Sequence, residues 1–301
     1  NQKIPTTATP PQLTRPGQFF AVDAKVFNII FFGNVNAVAV FVDPCSKKYR
    51  SYWYKHPGTD FFRDIFLPFY ETVCLPRQWL RFVYHPDNAK AFLSNELTAF
   101  LQKHGILLDP STPYTSWLNG FAEVAVKILT NAGLCLLATS KLHEATFPFA
   151  WNHGEAVHNA LPTAPSYLSP NFISDGTITD GNELKTFGCG GVIPDPHYKK
   201  SQLQPPNHPA RYLGNFHNHQ TKVYALDETT NVISELGTGS FLFNEKNVEC
   251  IAEGVDINEQ LTILDAIDDD THQSSTTEVQ YSPHITSQSS PCARHIHQTT
   301  M

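Results

Sequence analysis

A chain of 301 residues, 41% of them hydrophobic, is long enough to build two modest domains with separate cores. Its formal net charge of −7 is unevenly spread: residues 251–301 hold eight acids and the single base Arg294, which leaves 20 of the 21 basic and 20 of the 28 acidic residues on a neutral remainder, less basic than a dedicated nucleic-acid binder. Cysteines at 45, 74, 135, 189, 250 and 292 show no CxxC spacing, which argues against a disulfide framework or a structural zinc site and for buried free thiols.

Nothing near the start reads as a signal peptide and no uninterrupted apolar run reaches membrane-spanning length, so a soluble, intracellular chain is expected. A first residue Asn1 and a polar close at Met301 suggest a segment of a longer polypeptide.

Residues 1–16, with Pro5, Pro10, Pro11 and Pro16, read as an extended linker. Phe19 to Val26, Val35 to Val42 and Tyr49 to Tyr54 are β-rich runs parted by Gly33-Asn34 and Asp43-Pro44, which predicts an antiparallel meander. Pro57-Gly58-Thr59-Asp60 starts a helix whose apolar positions run from Phe61 through Val73 and which Pro76 ends. A fourth strand at Trp79 to Tyr84 delivers Asp87; a helix from Lys90 to His104 and a short strand at Ile106 to Leu108 follow.

Asp109 to Ser116, with two prolines and four hydroxyl side chains, reads as an irregular loop, and a long helix runs from Leu118 to Thr139. Asn119, Glu123, Lys127 and Asn131 recur every fourth residue and share one polar face, with Phe121, Val124, Ile128, Leu129, Ala132 and Leu136 expected to be buried around it. A helix from Phe147 to Leu161 closes a first domain at 17–161, and 162–183 reads as a connection. Short β runs at Thr186 to Ile193, Ala210 to Leu213, Thr221 to Leu226, Asn231 to Ser234 and Ser240 to Phe243 predict a small β-barrel over 184–250, ahead of an acidic, polar, disordered tail at 251–301.

Meander, helix, strand, helix, short strand, helix is the element order of an α/β ribonuclease H-like domain, in which acids on the first strand, the fourth strand and a later helix converge. The corresponding residues are Asp23, Asp87 and Glu123. Three carboxylates suit Mg²⁺, which takes hard oxygen ligands and keeps positions for water and phosphate oxygens. Two such ions can serve an in-line displacement at phosphorus. Any one of these acids alone has the bland reading of a surface or capping residue.

Val40-Phe41-Val42-Asp43 with Ser46-Lys47 and Trp53, His104-Gly105-Ile106, Ser111-Thr112-Pro113-Tyr114-Thr115 and Asn119-Gly120-Phe121-Ala122-Glu123 together resemble the integrase core of copia-type long-terminal-repeat retrotransposons. Phe187-Gly188-Cys189, Tyr212-Leu213-Gly214, Val223-Tyr224 and Phe241-Leu242-Phe243-Asn244-Glu245 resemble that family's C-terminal region, so the likeness covers about 17–245. The resemblance implies an integrase core followed by a small SH3-like β-barrel. It further implies that Asp23, Asp87 and Glu123 are catalytic and hold Mg²⁺ or Mn²⁺, two ions together, for 3′-end processing and strand transfer.

The implied partners are element DNA ends, target DNA, further copies of the chain on DNA, and neighbouring protease and reverse transcriptase segments of a polyprotein, with no membrane. The implied setting is a cytoplasmic particle and then the nucleus. The sequence departs from the family at Ala89-Lys90-Ala91, where Gly-Gly and an acid are usual, at Val124, where Arg is usual, and in the absence of the upstream zinc module. Those departures leave open a decayed or repurposed module that binds DNA or protein without catalysis.

Lys127, Asn119, Lys199, Lys200 and Arg211 are the candidate DNA contacts, the last three in a basic cluster with His197 and His208. Each has a bland alternative: Lys127 as an ion-pair partner of Glu123, Asn119 as a helix-start residue, the cluster as a solvated loop. Tyr114 and Trp117 read as aromatics stapling a helix start, with stacking on an unpaired base near a DNA end as the alternative, and Asn88 as a turn residue or a ligand-orienting one.

Overall fold

The computed structural model describes residues 13–87, 90–110, 116–164, 166–181, 184–194, 207–216, 219–237 and 240–244. The first sheet begins with the expected meander: β1 (Phe19–Phe31), β2 (Val35–Asp43) and β3 (Lys48–Tyr54) pair antiparallel. β1 runs well past Val26, through a register irregularity between Val26 and Phe31. β4 (Val83–Pro86) and β5 (Leu107–Leu108) then add parallel to the β1 edge, giving the order β3-β2-β1-β4-β5. This three-antiparallel, two-parallel sheet is the ribonuclease H-like arrangement expected from the element order.

Period-two alternation splits β1 between two cores. Phe20 and Val22 face a cluster with α1, a helical segment that is π-helical at Phe61–Phe66, α-helical at Leu67–Phe69 and π-helical again at Tyr70–Cys74. Asp60 caps its start, accepting hydrogen bonds from the Phe62 and Arg63 amides. The same cluster takes Leu97 and Leu101 from α2 (Asn95–His104), whose N-cap is Ser94. Phe19, Ala21, Phe27 and Phe31 face the other way, onto α3 (Ser116–Ser140) and α4 (Phe147–Ala160).

Three expectations need correction. Trp79 to Phe82 is not strand: Gln78 has a left-handed backbone, the Trp79 amide closes back on the Cys74 carbonyl, and pairing with β1 begins only at Val83. The connection at 162–183 contains a short helix, α5 (Pro170–Asp175), which Ser169 caps and Pro170 opens.

On α3, Ala122, Ala125 and Leu129 are buried, whereas Phe121, Val124 and Ile128 are exposed. Close approach to β1 selects alanine at the contact and turns the larger apolar side chains outward. By length and composition alone, Gly120–Ser140 would pass as a membrane span. Its Ala-lined face packed on the sheet is that of a core helix.

The second sheet is antiparallel throughout, in the order β10-β6-β7-β8-β9, from β6 (Gly190–Pro194), β7 (Asn207–Phe216), β8 (His219–Asp227), β9 (Val232–Gly237) and β10 (Leu242–Asn244). Each of the five β runs expected after 184 contains a strand, although the first starts only at Gly190, after coil and turn at 186–189, and the last only at Leu242. Among the described residues β9 and β10 are edges of this sheet.

α4 belongs to both cores. Phe147 and Trp151 pack under the first sheet, while Ala150 clusters with Phe187, Leu213 and Leu226, and Phe149 meets Tyr224 edge-on. Of the cysteines, Cys74 and Cys189 are buried, Cys45 is half-buried and Cys135 is exposed, all as free thiols.

Candidate functional site

The parallel register of β1 and β4 brings the first two acids together. Ala21 pairs with His85 and Val22 with Pro86, and the Asp87 amide continues the ladder by donating to the Val22 carbonyl at 3.1 Å. Asp23 and Asp87 therefore stand beside one another where β4 ends. Asp23 follows Phe19 and Ala21 on the face toward α3; Asp87 follows Val83 and His85 on the same face of its strand.

The third acid comes from α3. Ala122 and Ala125 are fully buried against β1, and Glu123 lies between them in sequence on the exposed, polar side of the helix, followed one turn later by exposed Lys127.

Asp23 registers all of these neighbours. Its pKa is raised from 3.8 to about 6, first by burial. The Ala24 amide, donating to Oδ1 at 2.8 Å, opposes that rise, and the charges of Asp87 and Glu123 add to it. Lys25, two residues along the strand, holds the pKa down in part. Tyr54 lies close enough for the Asp23 charge to add to the upward shift that burial gives its hydroxyl.

Asp87 and Glu123 thus both lie close enough for their charges to act on Asp23. The three acids do not form a closed cage: among the described residues no group of three or more His, Cys, Asp or Glu stands close enough to hold a metal ion. The donor set is nonetheless all hard oxygen, and a cation there would offset the burial and the weaker repulsion that together raise Asp23.

His85, Lys25 and Tyr54 are neighbours that sequence reading missed. His85 is buried one residue before Pro86, its ring against Phe19 at 5.3 Å and its Nδ1 3.3 Å from Asp109 Oδ2. The signal for His85 and Lys25 was present, since each lies two strand positions from a predicted acid. Tyr54 comes from a distant strand and left none.

Of the proposed DNA contacts, Lys127 is exposed on the Glu123 face of α3. Asn119 lies in the first turn of the helix, with its side chain outside the described residues, as is that of Trp117. Asn88, Tyr114, His197, Lys199 and Lys200 also lie outside them. Arg211 is on β7, where its guanidinium donates to Glu228 Oε1 at 2.7 Å and to the Gly188 carbonyl at 3.2 Å. His208 likewise contacts Asp227, at 2.9 Å. Both basic groups are tied into the second sheet.

No protein-family model matches the chain. It is similar to the retrovirus-related Pol polyproteins from transposons RE1 and RE2 of Arabidopsis thaliana. Each is 23% identical, over 95% and 83% of this chain. The chain spans less than a fifth of those relatives, 18% and 16% of their lengths.

Among solved structures, the HTLV-2 integrase catalytic core domain in complex with magnesium covers 53% of this chain and 97% of its own, at 20% identity and a TM-score of 0.41. The catalytic core domain of BIV integrase covers 52% of this chain and 93% of its own, at 15% identity and 0.40. A simian T-cell lymphotropic virus intasome in complex with the PP2A regulatory subunit B56 gamma covers 76% of this chain and 79% of its own, at 14% identity and 0.43.

Proposed function

We propose that this chain, a relative of transposon Pol polyproteins, is an integrase of the copia type: a polynucleotidyl transferase that processes the 3′ ends of element DNA and joins them to target DNA. The observation that carries the reading is the placement of Asp23 and Asp87 on adjacent parallel strands, with Glu123 close enough to act on Asp23. Asp23, Asp87 and Glu123 would hold Mg²⁺ or Mn²⁺, two ions together. When bound, the ions supply positive charge for the attacking and leaving oxygens of a displacement at phosphorus.

The reaction conserves phosphodiester bonds after its first step. In 3′-end processing, water adds to phosphorus near the DNA end and a P–O3′ bond breaks, freeing a 3′-hydroxyl. In strand transfer that hydroxyl adds to phosphorus in target DNA and a second P–O3′ bond breaks, so one bond forms for each lost.

The chain's own residues hold the geometry. The Ala24 amide fixes the Asp23 carboxylate, and the β1–β4 ladder fixes Asp87 beside it. Buried Ala122 and Ala125 set the height of Glu123 over the sheet. Exposed Lys127 would meet a phosphate one turn along from Glu123, with Asn119 at the helix start beside it.

In this reading 17–161 is the catalytic core and 184–250 a SH3-like barrel built on the second sheet, in which Lys199, Lys200 and Arg211 contact DNA. Copies assemble on DNA, protease and reverse transcriptase are the neighbouring polyprotein segments, and the chain passes from a cytoplasmic particle to the nucleus.

A second reading, an integrase fold kept for binding without catalysis, has two observations in its favour. The three acids do not close into a cage among the described residues, and Val124, more than half exposed beside Glu123, puts an apolar side chain where the resembled family has Arg.

Incubation with Mn²⁺ and a branched DNA that mimics an integration product separates the two. Disintegration by the wild type, abolished in Asp87→Asn, supports the transferase. Binding of DNA and metal with nothing rejoined in the wild type supports the second reading.

A further inference from the structure

Ahead of the N-terminal ends of β1 and β4, the chain forms an open cleft of about 520 Å³ lined by Arg15, Gly17, Arg77, Gln78, Trp79 and Arg81, with no acid in its lining. Gly17 precedes Asp23 by six residues, at most about 20 Å of extended chain. Trp79 packs with Phe20 in the cluster on the α1 side of the sheet, so the cleft also opens away from the α3 face that carries the acids.

The floor of the cleft is fixed. Gly17 has φ +75°, and a Cβ there would meet the Trp79 indole at 2.2 Å, so only glycine lets the backbone lie against the ring. The Gly17 amide donates to buried Asp43 Oδ2 at 3.2 Å. Arg77 stacks over Trp79 at 5.5 Å while Asp175 grips it through two hydrogen bonds of 2.7 and 2.9 Å. Arg77 is therefore engaged by a carboxylate that it shares with Lys48.

Arg15 and Arg81 are not. They arrive from different segments, one ahead of β1 and one ahead of β4, and among the described residues neither side chain has a hydrogen-bond or ion-pair partner. Guanidinium forks match phosphate oxygens in geometry as well as charge. The cleft is also far larger than a single phosphate and lies within the range that takes nucleotide-sized ligands.

We propose that this cleft is a second nucleic-acid site, in which Arg15 and Arg81 grip neighbouring phosphodiesters of a strand that does not pass through the carboxylates. It goes beyond the proposed reaction and stands whether or not Asp23, Asp87 and Glu123 act.

The test is fluorescence anisotropy of a labelled oligothymidylate over a salt series without divalent ions, using the full chain. The Arg15→Ala/Arg81→Ala variant is predicted to bind about tenfold more weakly, with a salt slope shallower by about 1.4, the value for two phosphate contacts to a single strand. The measurement uses no divalent ion and reads no bond cleavage or joining, which keeps this result apart from any failure of the transferase reading. Both arginine side chains are exposed, so an unchanged melting temperature is expected and confirms that the double variant folds.

Unchanged affinity and slope in the double variant would overturn the proposal. So would competition by inorganic pyrophosphate as effective, per phosphate, as unlabelled strand, since the cleft would then be a small-anion site.

Discussion

The amide of Asp87 donates to the carbonyl of Val22, one hydrogen bond beyond the last residue of β4, and that bond sets Asp87 next to Asp23. Two like charges are thereby held side by side, one of them buried enough for its pKa to rise to about 6. The fold carries a cost at this point that a cation would remove.

Asp23→Asn therefore stabilises the metal-free chain at neutral pH. Because the folded pKa exceeds the unfolded 3.8, the wild type loses stability as pH rises from about 4 through 6. Removing the charge should gain on the order of 2 kcal/mol at pH 7 and nothing at pH 3. Thermal melts of both proteins across that range check it. Added Mn²⁺ should raise the wild-type melting temperature and leave that of the variant unchanged.

His153 gives the opposite slope. Burial between α4 and the second sheet, against Phe187 and Tyr212, lowers its pKa from 6.5 to about 4. The neutral ring is the stable form, so its contribution is full above pH 6.5 and lost as pH falls through 4. His153→Phe should flatten the acid limb of the stability curve. Urea titrations at pH 4.5 and pH 7 measure the difference between the two limbs.

Ala122→Leu tests the height of α3 over the sheet. Ala122 is fully buried beneath the helix, and extra methyl groups there force α3 outward at a cost of about 1–3 kcal/mol. Glu123 moves with the helix. Activity should fall further than stability alone explains, which single-turnover rates at a temperature well below the melt will show.

Asp175→Ala tests the connection between the sheets. Asp175 holds both Arg77 and Lys48, and those partners keep its carboxyl well below the usual range despite burial. Lys48 is buried, with a pKa lowered to about 8. Loss of the carboxylate strands that ammonium at a cost of about 3 kcal/mol. Asp175 is part of what holds the wild-type value near 8, so without it Lys48 sheds its proton below pH 8; the deficit should shrink as pH rises toward 8, and melts at pH 5.5 and pH 8 compare the two states.

The first sheet was legible because its strands carry strong β-branched and aromatic runs, and its helices carry 3.6-residue periodicity with caps such as Asp60 and Ser94. Trp79 misled because an aromatic followed by alternating apolar residues looks like strand, while the turn chemistry lies in Gln78, which has no turn signature. α5 was missed because six residues are too few for periodicity to show, although Ser169-Pro170 was a readable start.

The same limit applies to α3. Periodicity separated its polar stripe from its apolar residues but ranked large side chains as core, whereas the tight contact with β1 needed small ones. Among the site residues, the register that pairs Asp23 with Asp87 could be anticipated from strand order. The Arg15–Arg81 cleft could not, because its two arginines belong to segments that read as a linker and a strand.

The most direct test of the account is Mn²⁺ binding followed by electron paramagnetic resonance on the wild type and on Asp23→Asn, Asp87→Asn and Glu123→Gln. One centre built from all three acids predicts tight binding by the wild type and at least a tenfold loss in each variant. Wild-type binding retained by any one of the three would contradict it.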